Sequence, residues 1–169
     1  QDAGSVLVKL ADGRSLEAAV IGGDPMTDIA LLKVSTDEDL PTVKFGESDS
    51  MRAGDEVVAV GNPFGLGGTV TSGIISATSR NINSGPFDDF IQTDAAINRG
   101  NSGGPLFNND GEVIGVNTAI FSPDGGSVGI GFSVPSDLVQ IIIADLQDDG
   151  AVTRGWLGVQ IKPMPEDIA

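Results

Sequence analysis

The 169-residue sequence contains no histidine and no cysteine, and basic residues are scarce: nine Lys and Arg stand against 24 Asp and Glu, a formal net charge of −15. Without histidine, none of these residues offers an imidazole as a general base or a metal ligand. Without cysteine, disulfides and thiol chemistry are excluded, an absence that fits an oxidising compartment and the cytosol alike. The acidic balance argues against a nucleic-acid partner, whose phosphates would be repelled, and its plain consequence is solubility. No run approaches the ~18 apolar residues that span a bilayer. Gln1-Asp2-Ala3-Gly4 opens directly on mature-looking sequence, with no signal-peptide pattern.

What is present is a globular composition, 40% hydrophobic and 20% charged, punctuated by 24 glycines and nine prolines. The length allows one substantial core and a fragment of a second domain. Val6-Leu7-Val8-Lys9-Leu10 reads as a strand, turned by Ala11-Asp12-Gly13-Arg14 into a second strand from about Ser15 to Ile21. Further strand-like runs are 28–34, 55–61, 68–78, 112–121 and 128–135, while 35–54 and 80–89 read as polar loops, the latter long enough to move. One segment is convincingly helical: Ser136 is placed to cap a helix carrying Leu138, Val139, Ile142 and Leu146, ended near Gly150. Short strands with turns between them predict an all-β barrel or sandwich with one C-terminal helix.

The chemistry is concentrated in "INRGNSGGPL", residues 97–106. A serine hydroxyl is a poor nucleophile until a base takes its proton. Glycines around Ser102 let the backbone turn so that the amides of Gly100, Asn101 and Ser102 converge, as an oxyanion hole requires. The same residues also fit an ordinary Asn/Ser/Gly turn. Asp28, at the head of an apolar strand, suits a carboxylate that orients an imidazole, although a lone Asp there is more often a turn or strand-end residue. "GNPFGLGG", 61–68, lacks the Gly-Lys-Ser/Thr of a phosphate-binding loop. Asp88-Asp89 and Asp148-Asp149 read as solvated loop charges, so neither a metal nor any other cofactor is expected.

Taken together, "TDIALLKV", "GNPFGLGGTVTSGIIS", "IQTDAAINRGNSGGPLFNNDGEVIGVNTAI" and "GGSVGIGFSVPSDLV" resemble the HtrA/DegP/DegQ family of envelope serine proteases, from about residue 5 to the end of the chain. The resemblance implies the trypsin-like fold of two six-stranded β-barrels, the first incomplete here, with Asp28 as the orienting aspartate, Ser102 as the nucleophile and Gly100 to Ser102 as the oxyanion loop. It further implies a pocket for aliphatic side chains lined by Ile97, Asn98, Ala119 and Ile120, residues that plain barrel packing would also explain. Asn101 replaces the aspartate that pairs with a newly cut N-terminus in trypsins, so control is expected from loop ordering, with 80–89, 94–101 and 119–127 as candidates. Residues 1–150 then form the protease domain, and 151–169 a linker and the first strand of a PDZ domain at Trp156-Leu157-Gly158-Val159.

The family's histidine precedes the segment that matches Gln1. The chain is therefore expected to be a fragment, inactive alone, of a periplasmic, ATP-independent endopeptidase that cleaves unfolded or misfolded polypeptides. By the same resemblance the complete protein would form trimer-based homo-oligomers and bind peptide C-termini through its PDZ domain. The alternative is a chaperone-like or regulatory module that holds unfolded chains without cutting them.

Overall fold

A computed structural model describes residues 4–62, 68–83, 85, 87–155 and 158. The expected PDZ strand around Trp156 falls, apart from Gly158, outside the described residues, as does most of the 61–68 loop. Strands β1 (Ser5–Lys9), β2 (Ser15–Asp24) and β3 (Ile29–Val34) form an open antiparallel sheet in that order. The Asp-Gly turn between β1 and β2 forms as its sequence predicts, with Gly13 at φ 91° and the Arg14 amide donating to Asp12 Oδ1 at 2.9 Å. A bulge between Val20 and Gly22 bends β2 where it passes the helix.

Strands β4 (Glu56–Gly61), β5 (Thr69–Arg80), β6 (Phe90–Thr93), β7 (Pro105–Phe107), β8 (Val113–Ile120) and β9 (Gly131–Pro135) close into a barrel in the order β4-β5-β6-β9-β8-β7. Its interior is filled by Val57, Ala59, Ile75, Ile91, Ala95, Ile97, Leu106 and Ile114. Strands β6 and β7, only four and three residues long, were not apparent in the sequence, yet without them the barrel does not close. Such lengths are too short for an alternating pattern to stand out.

Helix α1 (Ser136–Asp149) turns Val139, Ile142 and Leu146 toward Ile29 of the open sheet and Val134 of the barrel, joining the two halves in a second core. Its N-terminus corrects an expectation. Ser136 is the first helical residue, not the cap, and its hydroxyl donates to Gly46 O at 2.7 Å. The orphan amide of Asp137 donates instead to Ser48 Oγ at 3.1 Å, so a residue 89 positions away does the capping. Gly150 ends the helix in the left-handed conformation, its amide donating to Leu146 O at 3.1 Å. Its backbone lies so close to Gly22 that a side chain on Gly22 would collide with it.

Candidate active site

Ser102 stands on the exposed loop between β6 and β7, and much of the loop's backbone is hydrogen-bonded. Gly100 O accepts from the Asn62 amide at 3.1 Å, and the Asn101 amide donates to Asn98 O at 3.0 Å. The Gly103 amide donates to Asn117 O at 2.8 Å, and the Asn117 amide donates back to Gly104 O at 2.9 Å. Asn117 is itself buried on β8, its Oδ1 accepting from Ser133 Oγ at 2.7 Å. Gly104 packs so tightly on β4 that a Cβ there would collide with Val60 O. Glycine is therefore required at 104 by close approach, whereas at 103 it is required by a φ of 82°.

This bonding separates the three amides expected to converge. The Asn101 amide is spent on Asn98 O, while those of Gly100 and Ser102 have no acceptor among the described residues. Gly100 adopts a φ of 103°, open to few residues but glycine. The Asn101 side chain is buried, with Nδ2 donating to Ala96 O at 3.4 Å and Oδ1 unpartnered. It acts as a strut inside the loop rather than as a donor to a ligand.

Asp28 stands one residue before β3, at a φ of 59° that aspartate adopts more readily than most residues. Its Oδ2 accepts from Thr118 Oγ1 at 2.8 Å. The carbonyl of the same Thr118 accepts from Ser102 Oγ at 3.1 Å. One residue of β8 thus joins the two chemical candidates, its side chain serving Asp28 and its main chain serving Ser102. Thr118 sits where the β8–β9 register shifts between Asn117 and Ala119, an irregularity that frees its carbonyl from the ladder. Sequence reasoning missed Thr118. The only signal was a hydroxyl residue beside Asn117 in a mostly apolar strand, which says nothing about a partner 90 positions away.

Beside Ser102 lies a cavity of about 330 Å³. Ile97, Asn98 and Ile120 line it, together with Arg99, Thr118 and Ser122, which the sequence did not single out. Ala119 is not on its wall: alternation along β8 turns Thr118 and Ile120 to the cavity and Ala119 away. Asn98 Oδ1 accepts from the Ser127 amide at 3.0 Å and so ties one wall to the other. Ile97 belongs to the barrel core and Ile120 packs against it, so these two side chains serve core and cavity at once. On the other side of Asp28, a groove of about 480 Å³ runs along the open sheet over Val6, Val20, Ile29 and Leu32. Among the described residues no group of His, Cys, Asp and Glu is placed to hold a metal ion, and no helix is long and apolar enough to cross a membrane.

A closed six-stranded barrel beside a second sheet, with Ser102 and Asp28 each hydrogen-bonded to Thr118, points to the trypsin-like peptidases. Residues 1–116 match the trypsin-like peptidase domain, and the chain belongs to that family. Within it the chain is 56% identical to the probable periplasmic serine endoprotease DegP-like of Rhizobium meliloti, over 99% of this chain and 33% of that protein. It is 58% identical to the protein of the same description from Rickettsia conorii, over 96% of this chain and 33% of that protein. The chain thus spans about a third of the length of these relatives. Among solved structures, the HtrA-type protease AlgW with a decapeptide superposes with a TM-score of 0.92 at 50% identity, over 99% of this chain and 51% of that one. The same protease with a tripeptide gives 0.92 at 50% identity, over 97% and 55%.

Proposed function

We propose that this chain is the greater part of the protease domain of a periplasmic, ATP-independent serine endopeptidase that cleaves unfolded polypeptides. The observation that carries the reading is the link through Thr118, which puts Ser102 and Asp28 on the two sides of one residue. Ser102 attacks the peptide carbonyl. An imidazole between Ser102 and Asp28 takes the hydroxyl proton and then gives it to the leaving amine, and Asp28 holds that ring in the correct tautomer. The amides of Gly100 and Ser102 receive the oxyanion, each such donor typically lowering the barrier by ~3–4 kcal/mol. The cavity beside Ser102 takes an aliphatic side chain before the cut bond, against its two apolar residues Ile97 and Ile120.

The imidazole is supplied by a segment of the longer protein that packs along the groove beside Asp28 and completes the open sheet. Without it, residual catalysis by binding and oxyanion stabilisation amounts to ~10³–10⁴-fold over water, which leaves the isolated chain effectively inert. Residues 151–169 lead into a PDZ domain that binds peptide C-termini, and the complete protein assembles as trimers. The test is degradation of an unfolded protein by this chain, by the histidine-bearing parent, and by that parent with Ser102→Ala. Cleavage by the parent alone supports the reading. Cleavage by neither parent nor chain, with the unfolded protein still bound, would move the assignment to a holding module.

A further inference from the structure

Arg154 lies far in sequence from the serine loop, yet its contacts reach the turn that carries Asp28. That turn runs from Asp24, the last residue of β2, to Asp28, just before β3. Asp24 is only 5% exposed. Its carboxylate receives both arms of the Arg154 guanidinium, Nη1 on Oδ1 at 2.9 Å and Nη2 on Oδ2 at 2.5 Å. Thr27 Oγ1 donates to Oδ2 at 2.6 Å, and the Met26 amide reaches Oδ1 at 3.4 Å. A carboxylate this far from water persists only when paired, and a two-armed pair fixes orientation as well as distance. The guanidinium also lies over the Phe87 ring, 4.4 Å from its centroid, so the segment between β5 and β6 meets the same point.

Arg154 is carried there by a strap that leaves α1. Gly150 abuts Gly22 of β2, and Val152 packs into the second core with Ile29 and Leu31. Within the 24–28 turn, the bonds from Met26 and Thr27 to Asp24 are internal. Two side-chain hydrogen-bond links therefore tie the turn to the rest of the described residues: Arg154 at its first residue and Thr118 at its last.

We propose that Arg154 is a positioning residue for the reaction: by gripping Asp24 it holds the 24–28 turn so that the Asp28 carboxylate meets Thr118 and the imidazole together. The inference rests on the serine-peptidase reading above. Arg154 touches neither substrate nor the reacting atoms, and it acts through the backbone of the turn.

The test uses the full-length, histidine-bearing parent on a peptide substrate. Arg154→Met is expected to lower kcat about ten-fold, with KM changed less than about two-fold, because geometry is lost and the binding pocket is not. The acid limb of its kcat/KM profile moves to lower pH, since an imidazole with a loosened carboxylate neighbour gives up its proton more readily. The melting temperature falls as well, because Asp24 is left buried without its cation. In Asp24→Asn with Arg154→Met the lone charge is gone, so melting recovers while kcat stays low, a split that a merely structural role would not produce. Arg154→Lys restores part of kcat. A parental kcat and pH profile in Arg154→Met overturns the proposal, and where that variant does not fold, the double variant decides by the same criterion. Turnover that survives Ser102→Ala sinks the serine-peptidase reading instead, whatever Arg154→Met does.

Discussion

In the closed barrel, Ser102 rides on a loop whose carbonyls and amides are bonded to β8, to Asn62 and to one another, with Asn117 buried beneath it. In the open sheet, Asp28 rides on a turn tied down at its two ends by Arg154 and Thr118. The barrel has no free edge and fills its own interior. The sheet leaves Val20 and Leu32 more than a third exposed along a groove and depends on α1 for the burial of Ile29. The Ser102 loop is thus built into a self-sufficient scaffold, while the Asp28 carboxylate sits on an element that other segments must steady. The contrast teaches that a two-part candidate site need not be equally rigid in both parts, provided one residue of the rigid part reaches across.

The largest expected effect tests the rigid side. In the proposed histidine-bearing parent, Ser102→Ala is expected to lower turnover about 10⁵-fold, the size of loss seen when the nucleophile of such a site is removed, and to leave the urea midpoint unchanged. Next is the scaffold itself. Gly104→Ala drives a methyl into Val60 O and is expected to lower unfolding free energy by about 3 kcal/mol in a urea titration. Its counterpart in the sheet, Gly23→Ala, meets only ordinary contacts at 3.7 Å and beyond and stays within about 0.5 kcal/mol. Equal losses at the two glycines would erase the contrast.

The bridge between the regions comes third. Thr118→Val removes the hydroxyl that Asp28 accepts, keeps the carbonyl that Ser102 uses, and should lower kcat about ten-fold at a stability cost of ~1 kcal/mol. Acid probes the sheet more gently. The Arg154 guanidinium holds the Asp24 carboxyl down at about 2, against an ordinary value of 3.8. Folding stability from this group is therefore full above pH 4 and lost as pH falls through 2. The loss is on the order of 1–2 kcal/mol after allowance for solvent screening, and Arg154→Met should flatten it in urea titrations at stepped pH. The smallest effect concerns the groove. Leu32→Ser changes the stability of the isolated chain by less than about 0.5 kcal/mol, because Leu32 is exposed there. In the parent it costs about 2 kcal/mol, the loss expected of a buried leucine. Equal costs in the two would show that nothing covers the groove.

Much of this molecule was legible in one dimension. Chemistry confined to consecutive residues, as in Gly100 to Gly104, and strands with enough length to alternate, such as β2, β5 and β8, announce themselves locally. What stayed hidden depends on distant partners. Ser136 looks like a helix cap in sequence, but the burial of the β9–α1 junction brings Ser48 to the helix start and sends the Ser136 hydroxyl to Gly46. Ala119 reads as pocket wall until the alternation of β8 turns it away from Thr118 and Ile120. Arg154 carries no local mark of its pairing with Asp24, 130 positions earlier, because only folding brings the two together. Strands β6 and β7 are held by their neighbours in the barrel, and their own residues do little to declare them.

Thr118 also limits how this sequence can drift. Its backbone must suit a strand, its carbonyl must leave the ladder, and its side chain must place a donor at a single short reach. Valine keeps the shape and loses the proton. Asparagine offers a donor but disfavours the strand. Serine and threonine alone meet all three demands, so position 118 should admit a two-letter alphabet in any working descendant of this chain, while the groove-lining positions of the open sheet remain free to exchange one aliphatic residue for another.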